Sequence, residues 1–430
     1  MVVVGTDHLN EGQPMKLLLV ALIFLGGCFG VGTLASSYTC LASDPGDSKT
    51  FGQALAVSED YLAVGDPNAN RVVLYQRDAR GGWTRLQEIL PPEGSVADQL
   101  GKGFGHSLDW HKKILAIGTY DWLVSTKWEK EQPNDNFGAI YTAEIYGDGD
   151  ISVEEMPIPP ANLVMGYEVS FFGNQIAFPS LTITPGNRAI ERVFVVNPET
   201  GQITRVIGAP QTPEEVTSWS QLESPPSVDF YGFGSSVNGN GNSLLIGVTG
   251  LSNPNKTPLR GGIYLTTPDG AVQRIEFDGE GLNSPEISAA GSSVVLTDHL
   301  IGIGRTASLG VGDTLLLRYS PEIGWSYVGA VGLSGPLDVQ GDRVLISLFR
   351  IAGMPSLPPP GHIRIRPDHI LVRVDADQVV IESKIQWDRN YHVPANGIID
   401  SDHLILSAEG QVIQIPIPNL TNPYFIGGCP

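Results

Sequence analysis

The chain has 430 residues, of which 51 are Gly and 32 are Pro, while only 17% are charged. Its formal net charge of -20 excludes a protein built to grip phosphate backbones, since those reward clustered Lys and Arg. Short runs of Val, Ile, Leu, Tyr and Phe between turn-forming clusters, with no long amphipathic helix, point to many short strands in one large all-β assembly.

In chain order, residues 1–35 come first. The apolar stretch LLLVALIFLGGCFGVGTLA, residues 17–35, follows Lys16 and precedes small polar residues. A positive residue, an apolar centre and a small-residue end are the parts of an export signal, here with cleavage near Ala35 and Met15 as the functional start. Two other readings stay open. Leu25-Gly26-Gly27-Cys28 is similar to a lipid-attachment box, and the stretch is long enough to remain as a membrane anchor. All three readings export residues 36–430, with membrane contact only through the N-terminal segment if it is retained.

The next elements repeat. FGQALAVSEDYLAVGDP (51–67), FGHSLDWHKKILAIGTY (104–120) and FGSSVNGNGNSLLIGV (233–248) share Phe-Gly, a strand, a tight turn and a second strand at matching offsets. Looser copies are GYEVSFFGNQIAF (166–178), SPEISAAGSSVVLT (284–297, with Ile287 and Val294 aligned across a Gly-Ser-Ser turn), LSGPLDVQGDRVLIS (333–347) and VPANGIIDSDHLILS (393–407). A third strand follows each copy, at 72–76, 139–145, 193–196, 262–266, 314–319, 369–374 and 411–417, and all but the last copy turn into a fourth. Four antiparallel strands at intervals of about 50 to 70 residues write a β-propeller blade. The expected fold is therefore all-β, a single seven-bladed propeller over 36–430. Blades are set radially because a four-stranded sheet cannot hide both apolar faces by itself.

The seventh copy lacks a fourth strand, and SYTCLA (37–42) can supply it, closing the ring by pairing the N- and C-terminal strands. YFIGG (424–428) is the alternative final strand. Cys40 and Cys429 then sit at the two ends of the mature chain and form a candidate disulfide for an oxidising compartment. Two separate buried thiols are the other reading.

Phe51-Gly52 and Gly65-Asp66-Pro67 resemble the FG-GAP repeat, the unit of the integrin α-chain N-terminal propeller. The resemblance spans about 37–430, specific in the copies at 51, 104 and 233 and loose in the others. It implies an exported binding or adhesion protein, with ligands taken on the face that carries the longer connections. Integrin-like repeats often hold calcium between the first two strands. Here that turn is too short to wrap a cation in six or more oxygens, and Asn238-Gly-Asn-Gly-Asn242 offers no carboxylate, so no metal or other cofactor is expected.

Because strands alternate direction, the connections between strands two and three and between blades fall on one face. The long ones are expected at 120–136, 180–191, 209–231, 249–261, 298–313 and 351–368. Candidate ligand contacts there are Trp122, Trp128, Arg188, Arg364 and Arg366, in a face that gathers positive charge and would steer an anionic partner. Glu59, Asp60, Asp342, Asp375 and Asp400 fall in the opposite turns. The expected partner is an extracellular protein or glycan. The alternative is a glycan-active hydrolase or lyase whose acid and base are channel carboxylates of the first strands, Asp109, Glu168, Glu286 and Asp338. Against catalysis, the sequence has no Gly-x-Ser-x-Gly elbow and no His-Glu-x-x-His, and His362, His369 and His392 lack metal-site spacing.

Overall fold

The computed structural model describes residues 38–43, 48, 50–120, 138–146, 149–158, 163–184, 188–208, 233–248, 262–267, 270–275, 290–306, 312–332, 335–347, 369–376, 378–387, 396–408, 410–420 and 424–426. Residues 36–430 form one compact unit. Among the described residues the strands make seven sheets, each built on four antiparallel strands, in sequence order except where the N-terminal strand completes the last. Blade one comprises Leu55–Val57, Tyr61–Asp66, Arg71–Arg77 and Trp83–Ile89. Blade two comprises Phe104–His111, Ile114–Tyr120, Gly138–Ile145 and Ile151–Glu155. In blade three the first strand is broken into Leu163–Met165 and Ser170–Phe172, followed by Gln175–Thr184, Arg188–Val196 and Ile203–Gly208. Blade four has Phe233–Gly239, Leu244–Val248, Gly262–Thr266 and Val272–Arg274; blade five has Ala290–Leu296, Leu300–Thr306, Gly312–Ser320 and Gly324–Gly332. Blade six has Pro336–Gln340, Arg343–Ser347, His369–Val374 and Val379–Trp387. Blade seven has Asn396–Asp400, His403–Ala408 and Gln411–Pro416, and its fourth strand is Thr39–Ser43, which pairs antiparallel with Gln411–Pro416.

The N-terminal strand thus closes the ring, as expected. The alternative closure does not occur: Tyr424–Ile426 adds a fifth, parallel strand to the outer edge of blade six, opposite Ile385–Trp387. Each first strand packs against the first strand of the next blade, from blade one round to blade seven and back to blade one.

Burial explains the radial stacking. Second and third strands such as Tyr61–Asp66 and Arg71–Arg77 are buried along most of their length on both faces, whereas the outer strand Trp83–Ile89 is mostly exposed. Among the described residues the apolar core divides into seven clusters, one at each seam between neighbouring blades. At the first seam Val72 and Leu74 of blade one meet Phe104, Leu115 and Tyr141 of blade two. Each such side chain contributes about 1.5–3 kcal/mol when fully buried.

The repeated Phe-Gly and the later Gly are two halves of one contact. The first strand bulges between Phe104 and Ser107, with Gly105 at φ +83°, a conformation that disfavours a side chain. A Cβ there would sit 2.8 Å from Val72 Cγ2 and 3.0 Å from the Arg71 carbonyl oxygen of the preceding blade. Conversely, a Cβ on Gly65 would collide with the Gly105 carbonyl, one on Gly118 with that of Gly166, and one on Gly247 with that of Gly291. The second-strand glycine of one blade therefore lies flat on the bulge carbonyl of the next. Serine hydroxyls reinforce the contact: Ser107 Oγ donates to the Gly166 carbonyl at 3.0 Å, Ser236 Oγ to Gly291 at 2.9 Å, and Ser407 Oγ to Gly52 at 2.6 Å across the closing seam.

Three expectations are corrected. In the fifth copy the turn is at Thr297–Leu300 rather than Gly-Ser-Ser; Ala290-Gly291 takes the place of Phe-Gly, and Gly291 has φ +96°. Residues 298–313 are therefore no long loop, since 300–306 is the second strand. The stretch 180–191 is mostly strand as well, because Gln175–Thr184 and Arg188–Val196 pair along their whole length up to Thr184 opposite Arg188. In both places a β-branched or polar run reads equally as strand or loop, and pairing with a neighbour decides it. The sequence reading also misses the short helix Val96–Leu100 between blades one and two. Ser95 caps it, the Val96 N–H donates to Glu155 and the Ala97 N–H to the Tyr141 hydroxyl.

Candidate functional site

The candidate site is the inner ring of first strands and the face onto which it opens. Asp109 lies on the first strand of blade two, opposite Ala116. One of its carboxylate oxygens accepts the Phe171 N–H of blade three at 2.6 Å and the Ser170 hydroxyl at 3.0 Å, and the other accepts its own strand's Trp110 N–H at 2.8 Å. Asp338 holds the same register position in blade six, opposite Leu345, and accepts the Ile399 N–H of blade seven at 2.6 Å. Glu168, one step nearer the start of blade three, accepts the Val237 N–H of blade four at 2.6 Å. Glu286 lies outside the described residues.

These carboxylates share their task with neutral side chains. Ser170, opposite Ala177, accepts the Gly239 N–H at 2.9 Å, and Asn238, opposite Leu245, accepts the Leu296 N–H at 2.9 Å. Asp109, Ser170, Asn238 and Asp338 are thus one device, an acceptor reaching the next blade's first strand. The backbone needs it because first strands are edge strands whose inward N–H groups have no sheet partner. Blade one lacks an acceptor side chain, and there the Ala56 carbonyl takes the Trp110 indole N–H at 3.1 Å. Ser170 and Asn238 were missed in the sequence reading, although both stand four residues after the repeat Gly, as Asp109 does.

Each of the three described carboxyls is partly exposed but enclosed by protein. Burial raises Asp109 to about 6 against the N–H and hydroxyl donors, Asp338 to about 7 with a smaller push from Asp109, and Glu168 to about 8. Asp109 and Asp338 stand on blades two and six, so this mutual effect acts across the ring.

At the end where first strands begin, His106, Tyr120 and Tyr167 form an edge-to-face aromatic group. His106 and Tyr120 are 5.3 Å apart at 78°, and Tyr120 and Tyr167 are 5.9 Å apart at 65°. The Tyr167 hydroxyl donates to the Gly234 carbonyl at 3.0 Å, tying blade three to blade four. Burial lowers the His106 imidazole's proton affinity. All three rings are partly exposed. No sequence reading singled them out, because only the fold brings positions 106, 120 and 167 together.

The strand ends that bracket 121–137, 209–232, 249–261 and 348–368 all lie on this same face. Trp122, Trp128, Arg364, Arg366 and Cys429 lie outside the described residues. Arg188 begins the third strand of blade three, opposite Thr184, on this face. On the opposite, short-turn face Glu59 and Asp60 are exposed, whereas three other carboxylates are paired. Asp400 is held by both terminal nitrogens of Arg77 at 3.0 and 2.7 Å, Asp342 by Arg318 and His299, and Asp375 by Arg373. For these three, strand residues supply the basic partners. His369 is fully buried in blade six, and burial lowers it to about 4 against a smaller raising effect of a backbone hydrogen bond with Asn396.

No family model and no curated relative matches the chain. Solved propellers do. They include AztD from Citrobacter koseri (10% identity, 87% of this chain and 89% of that one, TM-score 0.44). The β-propeller domain of the Trilobed protease from Pyrococcus furiosus matches at 9% identity over 83% and 90%, TM-score 0.43. The WD40 domain of Toxoplasma gondii coronin matches at 10% identity over 88% and 82%, TM-score 0.41. The class this chain falls in is the seven-bladed β-propeller, shown by its own strand order. Likeness at this level carries nothing about function.

Proposed function

We propose that the protein is an exported, non-enzymatic binding propeller that recognises an extracellular protein or glycan through the face bearing the longer connections. One observation carries this reading. The channel carboxylates that would serve as acid and base are engaged as acceptors between blades, in positions where Ser170 and Asn238 do the same work without any acid–base capacity. The opposite outcome would need carboxyls free to meet a substrate. The loop-bearing face instead offers partly exposed aromatic rings on a fixed frame, the kind of surface that anchors partners. Membership of the FG-GAP propellers, export through residues 1–35 and a Cys40–Cys429 bridge belong to the same proposal.

The second reading, a glycan-active hydrolase or lyase, draws on the near-neutral proton affinities of Asp338 and Glu168. The test is a glycan and protein array probed with residues 36–430. Array hits that are bound intact, and that weaken when Trp122, Trp128, Arg188, Arg364 or Arg366 is replaced by Ala, support binding. Turnover of a glycan that is lost in Asp109→Asn, Glu168→Gln or Asp338→Asn, with binding retained, supports the enzyme and overturns the first reading.

A further inference from the structure

Blade-to-blade acceptors need no charge, since Asn238 and Ser170 hold their seams as neutral groups. Asp109, Glu168 and Asp338 nevertheless bring three carboxylates into the inner ring, where burial opposes ionisation and Asp109 and Asp338 repel each other. Among the described side chains, no basic group forms an ion pair with them. Around Asp109, the packed strands of blade one carry Asp66 with Arg71, which pair with one another, and Arg77, which is committed to Asp400. Tyr61, Tyr75 and Tyr120 lie on the adjoining strands and carry no basic group, and Leu55–Val57 and Ser170–Phe172 carry no ionisable group. His106 and His111 share the strand of Asp109; burial lowers the proton affinity of the first, and Nε2 of the second meets Asn174. The strands facing Glu168, Gln175–Thr184 and Phe233–Gly239, have no ionisable residue. Near Asp338, Arg343 pairs with Glu382 and Asp400 with Arg77; Ala290–Leu296 is free of ionisable groups, and Arg305 lies on the neighbouring second strand.

We propose that these three seams make the ring proton-responsive: taking up protons on the inner carboxyls tightens the contacts between blades, and losing them on the alkaline side loosens the ring. A protonated carboxyl still accepts the N–H through its carbonyl oxygen, as the amide of Asn238 does, so the seam survives while the buried charge disappears. The direction follows from linkage. A carboxyl whose proton affinity is raised by folding adds stability that is complete below its unfolded pKa, and this is lost as pH rises through the folded value. For these groups the losses fall between about 4 and about 8.

The experiment is urea unfolding of residues 36–430 at about pH 8.5 and about pH 6.5, for wild type and for Asp109→Asn, Glu168→Gln, Asp338→Asn and the triple variant. Wild type should gain on the order of 10- to 100-fold in its folding constant at the lower pH, and the triple variant should lose most of that gain. At the higher pH the triple variant should be at least as stable as wild type. General relief of repulsion in a chain of net charge -20 is common to all variants and cancels in the comparison. A pH dependence unchanged in the triple variant, or a flat wild-type profile, overturns the proposal. Should a variant not fold, the infrared carboxylic-acid band of wild type decides: protonated carboxyl persisting near neutrality supports the proposal, and its disappearance well below that range overturns it. The readout is stability, so it stands or falls separately from any ligand.

Discussion

Replacing Gly118 with Ala tests how neighbouring blades are held together. A Cβ at this position would lie 3.0 Å from the Gly166 carbonyl carbon, with the Gly166 oxygen and Ser107 Oγ nearer still. Both obstacles are anchored: Gly166 is backbone at φ +87°, and Ser107 Oγ donates to that same carbonyl at 3.0 Å. Relief requires the seam between blades two and three to open. Overpacking of this kind costs about 1–3 kcal/mol, and a rigid backbone obstacle belongs at the upper end. Losing the serine bond adds about 1 kcal/mol, while removing a glycine from a strand returns roughly 0.5–1 kcal/mol. The expected net loss is about 3 kcal/mol, read as a lowered urea midpoint at unchanged slope. Gly241→Ala is the control, because a Cβ there meets nothing within 4 Å. It should change stability by no more than about 0.5 kcal/mol. If Gly118→Ala proved as stable as Gly241→Ala, the glycine-on-carbonyl account of the repeat would be wrong.

Arg77 and Asp400 join blades one and seven, so Arg77→Ala should cost about 2–3 kcal/mol by leaving Asp400, 5% exposed, without its partner; a double-mutant cycle with Asp400→Asn should return a coupling of similar size. His369 works against the inner carboxyls. Its depressed proton affinity means stability is complete above its unfolded pKa and lost as pH falls from about 6.5 towards about 4, so His369→Leu should flatten the acid side of the unfolding profile. Non-reducing peptide mapping should find Cys40 linked to Cys429, and Cys40→Ser should then lower stability by up to about 4–5 kcal/mol in the chain-entropy picture. Free thiols at both positions would remove that part of the proposal.

Much of the architecture could be read directly from the chain, because the propeller contact is local and repeated. Phe104-Gly105 and Gly118 recur as Phe233-Gly234 and Gly247 since the same backbone approach recurs at each seam. The closing strand at Thr39–Ser43 was legible because the seventh copy has no fourth strand of its own after 411–417. Where the repeat drifted, the reading slipped. Ala290-Gly291 replaces Phe-Gly, so the sequence register places blade five too early. The inner carboxyls were found by position, but their task was not legible, because the Phe171, Val237 and Ile399 N–H groups that occupy them come from the next blade. The contact of Tyr120 with Tyr167 was hidden for the same reason. Residue spacing reports partners within a blade, and these contacts join different blades.

The most direct test of the functional account compares two variants against whichever glycan or protein the array identifies. The first carries Asp109→Asn, Glu168→Gln and Asp338→Asn; the second carries Trp122→Ala and Trp128→Ala. Calorimetric titration should show affinity kept in the first and lost in the second. Affinity lost in the inner-ring variant and kept in the tryptophan variant would contradict the account.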